Sequence, residues 1–111
     1  MLTFLEFSKT ITLTGDSDEE YAFEVNSLEA HLDSGSGVYT VTRQDGDEHV
    51  VLYIGQTGDL SNRFTDHHKA ECFDDNDADC LCVHQDGEKR SRLKKETDLI
   101  SRYHPTCNGA Q

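Results

Sequence analysis

The chain is 111 residues long and carries 22 acidic against 10 basic side chains, a formal net charge of −12. That length suits one domain able to bury roughly 65% of its unfolded surface, and that charge disfavours a general polyanion binder, which normally presents basic patches. No apolar run is long enough to span a membrane, and the opening Met1-Leu2-Thr3-Phe4-Leu5-Glu6 lacks the basic and apolar regions of a signal peptide, so a cytoplasmic protein with four reduced cysteines is expected.

Residues 2 to 14 alternate loosely, with Phe4, Phe7, Ile11 and Leu13 as apolar anchors. The polar run from Gly15 to Glu20 reads as a turn, after which Tyr21, Phe23 and Val25 share one face of a second strand. Together these predict a β-hairpin, marginal alone and therefore packed on something larger. Ser27 to Leu32 is open between a helical turn and irregular structure. The joint Asp33-Ser34-Gly35-Ser36-Gly37 is too short to separate domains. Residues 1–36 are thus expected as a hairpin extension of a single domain, 1–111, whose core is 37–108.

In that core, Val38-Tyr39-Thr40-Val41 and Val50-Val51-Leu52-Tyr53-Ile54 read as paired strands around an Asp45-Gly46 turn. A helix is predicted from about Asp59, a good N-cap, to near Cys72. Leu60 and Phe64 form its buried stripe, and Arg63 and His67, four apart, flank that stripe. The acidic stretch Glu71–Asp79 fails the EF-hand pattern, because the glycine position falls on Cys80. Cys80 to His84 reads as a third strand. Cys80, Cys82 and His84 share one face of it; they could bind zinc with Cys72 or Cys107, but the spacing matches no standard finger and small buried hydrophobes are the favoured reading. A second helix is predicted over about Glu88 to Tyr103. Leu93, Ile100 and Tyr103 share a face, Leu99 lies at its edge, and Glu96 projects from the same apolar side. Pro105 ends this helix and biases His104 toward extended backbone. The expected architecture is α/β of the α+β kind: a small, mainly antiparallel three-stranded sheet flanked by helices, plus the N-terminal β-hairpin.

Charge is unevenly spread along the chain. Residues 1–36 hold a net −7, whereas residues 89–102 hold a net +4 from Lys89, Arg90, Arg92, Lys94, Lys95 and Arg102 against Glu96 and Asp98. The second helix is therefore the expected nucleic-acid face, through Lys89, Arg90, Arg92, Lys94 and Lys95. An ordinary solvated helix face is the plain alternative.

Five pieces in order carry a family resemblance: Gly37-Val38-Tyr39, Tyr53-Ile54-Gly55, Arg63 with His67, Glu96-Thr97-Asp98-Leu99-Ile100, and Pro105-Thr106-Cys107-Asn108. Over residues 37–108 the chain resembles the GIY-YIG nuclease superfamily, with a hairpin tip a few residues longer than that family usually shows. The resemblance implies a divalent-metal-dependent endonuclease hydrolysing DNA phosphodiester bonds, with Mg²⁺ or Mn²⁺ as cofactor. It implies Tyr39 and Tyr53 around the attacking water, Arg63 on phosphate, Glu96 on a single metal and Asn108 holding the site by hydrogen bonds, with Gly37 and Gly55 as motif glycines.

The residue chemistry is compatible with those roles. Phosphodiester hydrolysis needs a nucleophilic water, charge stabilisation on the phosphoryl oxygens and help for the leaving oxygen. Glu96 is a hard oxygen ligand suited to Mg²⁺, which keeps several waters. Arg63 is a planar, permanently charged fork. A tyrosine, with a pKa of about 10, needs a nearby cation before it serves as a base, and which of the two tyrosines does so is open. His67 can shuttle a proton near neutral pH. DNA is the expected partner, with RNA as the alternative polymer, a protein partner supplying targeting, and no membrane. The rival function is a catalytically inactive module of the same fold that binds protein or nucleic acid. The −12 charge and the lack of a separate DNA-reading domain favour the rival; the complete residue set favours the enzyme.

Overall fold

A computed structural model describes residues 9–62 and 69–108. The N-terminal alternation forms strands β1 (Thr10–Thr14) and β2 (Glu20–Ser27), antiparallel, with Leu13 opposite Tyr21 and Ile11 opposite Phe23. The next two strands, β3 (Gly37–Asp45) and β4 (Glu48–Thr57), form a second hairpin. Its two-residue loop places Gly46 at φ 63°, a conformation a side chain would strain. A bulge follows Val41, where Leu52 gains no partner on β3. The chain then builds α1 (Ala70–Asp75), β5 (Cys80–Gln85), α2 (Lys89–Tyr103) and a 3-10 turn at Thr106–Asn108.

β5 slots between the two hairpins, antiparallel to both β2 and β3, giving one sheet in the order β1-β2-β5-β3-β4. The expected three-stranded sheet with a hairpin extension is thereby corrected to five antiparallel strands. The reason lies in the β5 residues themselves: Leu81, Cys82 and Val83 are buried, so both faces and both edges of this strand need cover.

The sheet carries a core on each face. On one face Phe23, Val38, Ile54 and Cys82 meet Leu99 of α2, with Ile100 and Tyr103 packed alongside. On the other, Tyr39, Val41 and Leu81 meet Phe73 of α1 and Cys107 of the 3-10 turn, with Leu28 and Leu32 closing the rim. The helix α2 is rotated from its expected setting. Leu99 is fully buried and Leu93 is 42% exposed, because Arg92 occupies the inward position that the sequence pattern assigned to Leu93. Of the first expected helix, residues 63–68 lie outside the described residues. Asp59 caps a turn, accepting hydrogen bonds from the Ser61 amide, the Ser61 hydroxyl and the Asn62 side chain, and α1 spans Ala70–Asp75. His104 is left-handed (φ 45°) rather than extended, closing α2 with its amide on the Ile100 carbonyl at 2.8 Å.

Cys72 and Cys107 are joined by a disulfide, which corrects the expectation of four reduced thiols. α1 and the 3-10 turn pack on the same sheet face, which brings the two Cα atoms to 5.8 Å. Cys80 and Cys82 stay free and line the opposite core, so the sheet separates them from the bonded pair. Burial pushes the Cys82 thiol up to about 12, leaving it an inert apolar filler.

The β1–β2 turn is latched to α2 by Asp98. Its carboxylate accepts hydrogen bonds from the Ser17 amide (2.8 Å), the Ser17 hydroxyl (2.7 Å) and the Tyr21 hydroxyl (2.7 Å). These donors hold Asp98 below the usual carboxylate range, while burial and Asp98 together lift Tyr21 to about 12. A Cβ on Gly15 would stand 2.0 Å from Oδ2 of Asp98, so a side chain there would push the carboxylate out of this latch.

The net −12 sits on a surface where Asp16, Asp18, Glu19, Glu20, Asp45, Asp47, Glu48, Asp74 and Asp75 are all exposed, and such like charges repel in the compact state. Raising KCl from 0.1 M to 1 M shortens the Debye length from about 10 Å to about 3 Å. The melting temperature is expected to rise by several degrees over that range, read by circular dichroism. A flat or falling curve would show that the carboxylates are not in net repulsion.

Candidate functional site

Register brings the two tyrosines together. Tyr39 on β3 lies opposite Gly55, and Tyr53 on β4 lies opposite Val41, so both rings point from the same face two positions apart. The rings are 6.0 Å apart, and the Tyr39 hydroxyl is close enough to favour ionisation of the Tyr53 phenol in part. Gly55 makes this meeting possible. A Cβ there would stand 2.8 Å from Cζ and Oη of Tyr39 and 3.0 Å from Cε2 of Tyr53. Gly37 has a different task, since a Cβ on it would stand 2.6 Å from the His84 carbonyl oxygen of the neighbouring strand. Phe73 of α1 meets the Tyr53 ring edge-on at 5.6 Å and fixes its other side.

Glu96 lies on α2, which packs on the opposite face of the sheet, and its charge acts on Tyr53 from there. It is half-buried, and burial alone pushes its carboxyl above the ordinary glutamate range. Its charge is near enough to Tyr53 to help raise that phenol, whose pKa is lifted first by burial and lowered in part by the Tyr39 hydroxyl. Among the described residues, no hydrogen bond or ion pair engages the Glu96 carboxylate. Partial burial thus favours the neutral carboxyl, while its half-exposed oxygens remain open to solvent.

Asn108 closes the outer edge of β4. Its Oδ1 accepts from the Ile54 amide and its Nδ2 donates to the Ile54 carbonyl, both at 2.9 Å, so one side chain replaces a missing strand. Ile54 lies between Tyr53 and Gly55, and Asn108 therefore holds the backbone that carries the phenol. Tyr39, Tyr53 and Asn108 are thus brought together around Ile54 and Gly55, and the Glu96 charge acts on Tyr53 from α2. Arg63 and His67 lie outside the described residues.

The basic helix is less open than its sequence indicates. Arg92 is 6% exposed and spends its guanidinium inward, Nε on the Gln56 side chain at 2.9 Å and Nη1 on the Asp86 carbonyl at 3.2 Å. Lys95 is half-buried, bonded to Asp86 at 2.9 Å and to His84 Nε2 at 2.9 Å. Arg92, expected on the nucleic-acid face, is therefore a strut between α2 and β4, and Lys95 is tied down. Lys89, Arg90 and Lys94 remain exposed. Asp86 anchors this end: Ser91, Lys95 and the Glu88 amide hold its carboxyl well below the usual range. The Asp86 and Asp98 anchors carry no sequence signal beyond an acid near a helix, and both escape sequence reasoning.

A cleft of about 520 Å³ lies between the β1–β2 turn and α2, lined by Ser17, Glu19, Tyr21, Leu93, Lys94, Thr97 and Asp98. It shares no residue with the tyrosine–glutamate cluster. No group of three or more His, Cys, Asp or Glu residues set to hold a metal occurs among the described residues. A lone carboxylate nevertheless suits Mg²⁺, which binds through one or two carboxylates and retains its waters. Compared with protein-family models, curated proteins and solved structures, the chain gives no match in any of the three.

Because the fold raises the Glu96 pKa, it favours the protonated form, and ionisation above the ordinary glutamate pKa lowers stability. Glu96→Gln removes that charge while keeping the shape. At pH 7 with a chelator present, the variant is expected to melt higher than the parent, and the gap should shrink as pH falls through the glutamate range. An equal or lower melting temperature would mean the carboxylate is already satisfied.

Proposed function

We propose that this chain is a divalent-metal-dependent endonuclease of the GIY-YIG type, cutting DNA at the cluster of Tyr39, Tyr53 and Glu96. The observation that carries the reading is a half-buried Glu96 carboxylate, without a donor among the described residues, whose charge acts on one of two closely set phenols. Each feature alone has a structural explanation. Two close phenols on β3 and β4 together with a half-buried carboxylate whose charge reaches them support a site.

In this reading Glu96 holds Mg²⁺ or Mn²⁺, which when bound supplies positive charge to the reacting phosphate. The phenols of Tyr39 and Tyr53 orient the attacking water, and one of them takes its proton. Both the burial of Tyr53 and the Glu96 charge oppose loss of its proton, so the phenol works as a base only when cationic charge is brought close. Arg63 would supply part of that charge on the phosphate, and His67 would pass the proton onward. Asn108 contributes rigidity, keeping Ile54 and hence Tyr53 in place. Docking falls to the exposed Lys89, Arg90 and Lys94, with Lys95 contributing if it leaves Asp86.

The −12 charge and the inward use of Arg92 favour a second reading, a binding module of the same fold without cleavage. Plasmid nicking separates the two. With Mg²⁺ or Mn²⁺ the protein is expected to nick supercoiled DNA and with chelator to stop. Tyr53→Phe and Glu96→Gln are each expected to slow nicking on the order of a hundredfold, with the fold intact by circular dichroism. Nicking that persists unchanged in Glu96→Gln would place the activity elsewhere or in a contaminant; DNA binding without nicking would support the module.

A further inference from the structure

The Cys72–Cys107 disulfide joins two pieces that hold Tyr53. Cys72 precedes Phe73, whose ring packs on the Tyr53 ring. Cys107 precedes Asn108, whose side chain bonds both backbone groups of Ile54. The bond thus ties α1 to the 3-10 turn directly beside the edge of β4. Asn76 stands over it: its Nδ2 lies 3.6 Å from the Cys72 sulfur and 3.9 Å from the Cys107 sulfur while donating to the Cys72 carbonyl at 2.9 Å. Cys107 is buried and Cys72 is partly exposed, so an incoming thiol meets Cys72 first.

We propose that Cys72–Cys107 is a redox gate on the tyrosine site, opened by a dithiol reductant. A thiolate of the reductant attacks the Cys72 sulfur, and the Cys72–Cys107 bond breaks, expelling Cys107 as a thiolate within reach of the Asn76 amide donor. The second thiol of the reductant then displaces Cys72 from the mixed disulfide. Two electrons and two protons pass to the protein, and the reductant leaves as its own disulfide. Once the bond is cut, the 3-10 turn loses its covalent tie to α1 and keeps the Asn108 side-chain bonds to Ile54 and the packing of Pro105 and Cys107. Release of Asn108 exposes the Ile54 amide and carbonyl and frees the strand segment that aims Tyr53. The central strands β3 and β5 take no bond from this segment and stay paired.

The gate is a statement about Ile54; its effect on DNA cleavage rests on the nuclease reading. The test is residue-resolved amide exchange on the full chain, oxidised and then treated with dithiothreitol, alongside Cys72→Ser/Cys107→Ser. Reduction is expected to speed Ile54 exchange on the order of tenfold, as loss of one to two hydrogen bonds would, while β3 and β5 amides keep their protection. The double variant should show fast Ile54 exchange under both conditions and ignore the reductant. Ile54 exchange unmoved by reduction overturns the gate, and so does loss of protection across all strands together, which would be global unfolding. Nicking measured on the same samples is expected to fall on reduction and recover on reoxidation. A redox-dependent Ile54 with no nicking in either state supports the gate and counts against the nuclease reading.

Discussion

β5 reaches the sheet from a helix rather than from a hairpin, and everything else closes around it. β1 with β2, and β3 with β4, are local pairs that a short turn can form, yet neither could bury a two-sided core alone. β5 supplies the missing ladder to both, with Glu24 opposite Val83 on one side and Tyr39 opposite Val83 on the other. Only then do Phe23 and Val38 belong to one core beneath α2, and Tyr39 and Leu81 to the other beneath α1. The setting of Glu96 is a product of this closure, because α2 leaves β5 through the Asp86 anchor and comes to lie against β4 through Arg92 and Gln56.

Much of the local structure was legible in the sequence. The Asp45-Gly46 turn, the face shared by Tyr21 and Phe23, and the β5 and α2 segments follow from period and turn chemistry. The join between β2 and β5 was not, because strand pairing over more than fifty residues leaves no local trace. The setting of α2 was misread through Arg92. An arginine at an inward position looks like a break in the apolar stripe until Gln56 and the Asp86 carbonyl are seen to receive it. The disulfide was hidden by a prior about compartment, although the spacing of Cys72 and Cys107 permits it. At the candidate site the motif residues Tyr39, Tyr53, Glu96 and Asn108 could be named from the chain, but not the mutual contact of the phenols or the steric reason for Gly55.

Electrostatics divides the molecule along α2. One flank meets the acidic β1–β2 turn through Asp98, where hydrogen bonds from Ser17 and Tyr21 satisfy the carboxylate. The other flank presents Glu96, which burial raises and no described partner offsets. Two acids on one helix, two residues apart, thus meet opposite fates. The first fastens the fold, and the second is held toward its neutral form by partial burial.

The placement of β2 against β5 also bears on how the chain tolerates shortening. A fragment starting at Gly37 would keep β3, β4 and the whole candidate cluster, and would look complete by its motifs. It would also lay bare one flank of Cys80–Gln85, a strand with buried Leu81, Cys82 and Val83 and no proline in it. An unpaired edge of that composition recruits strands from other molecules. The acidic N-terminal hairpin therefore covers that edge with β2 and sets exposed carboxylates beside it, so its removal would cost solubility as well as strand pairing.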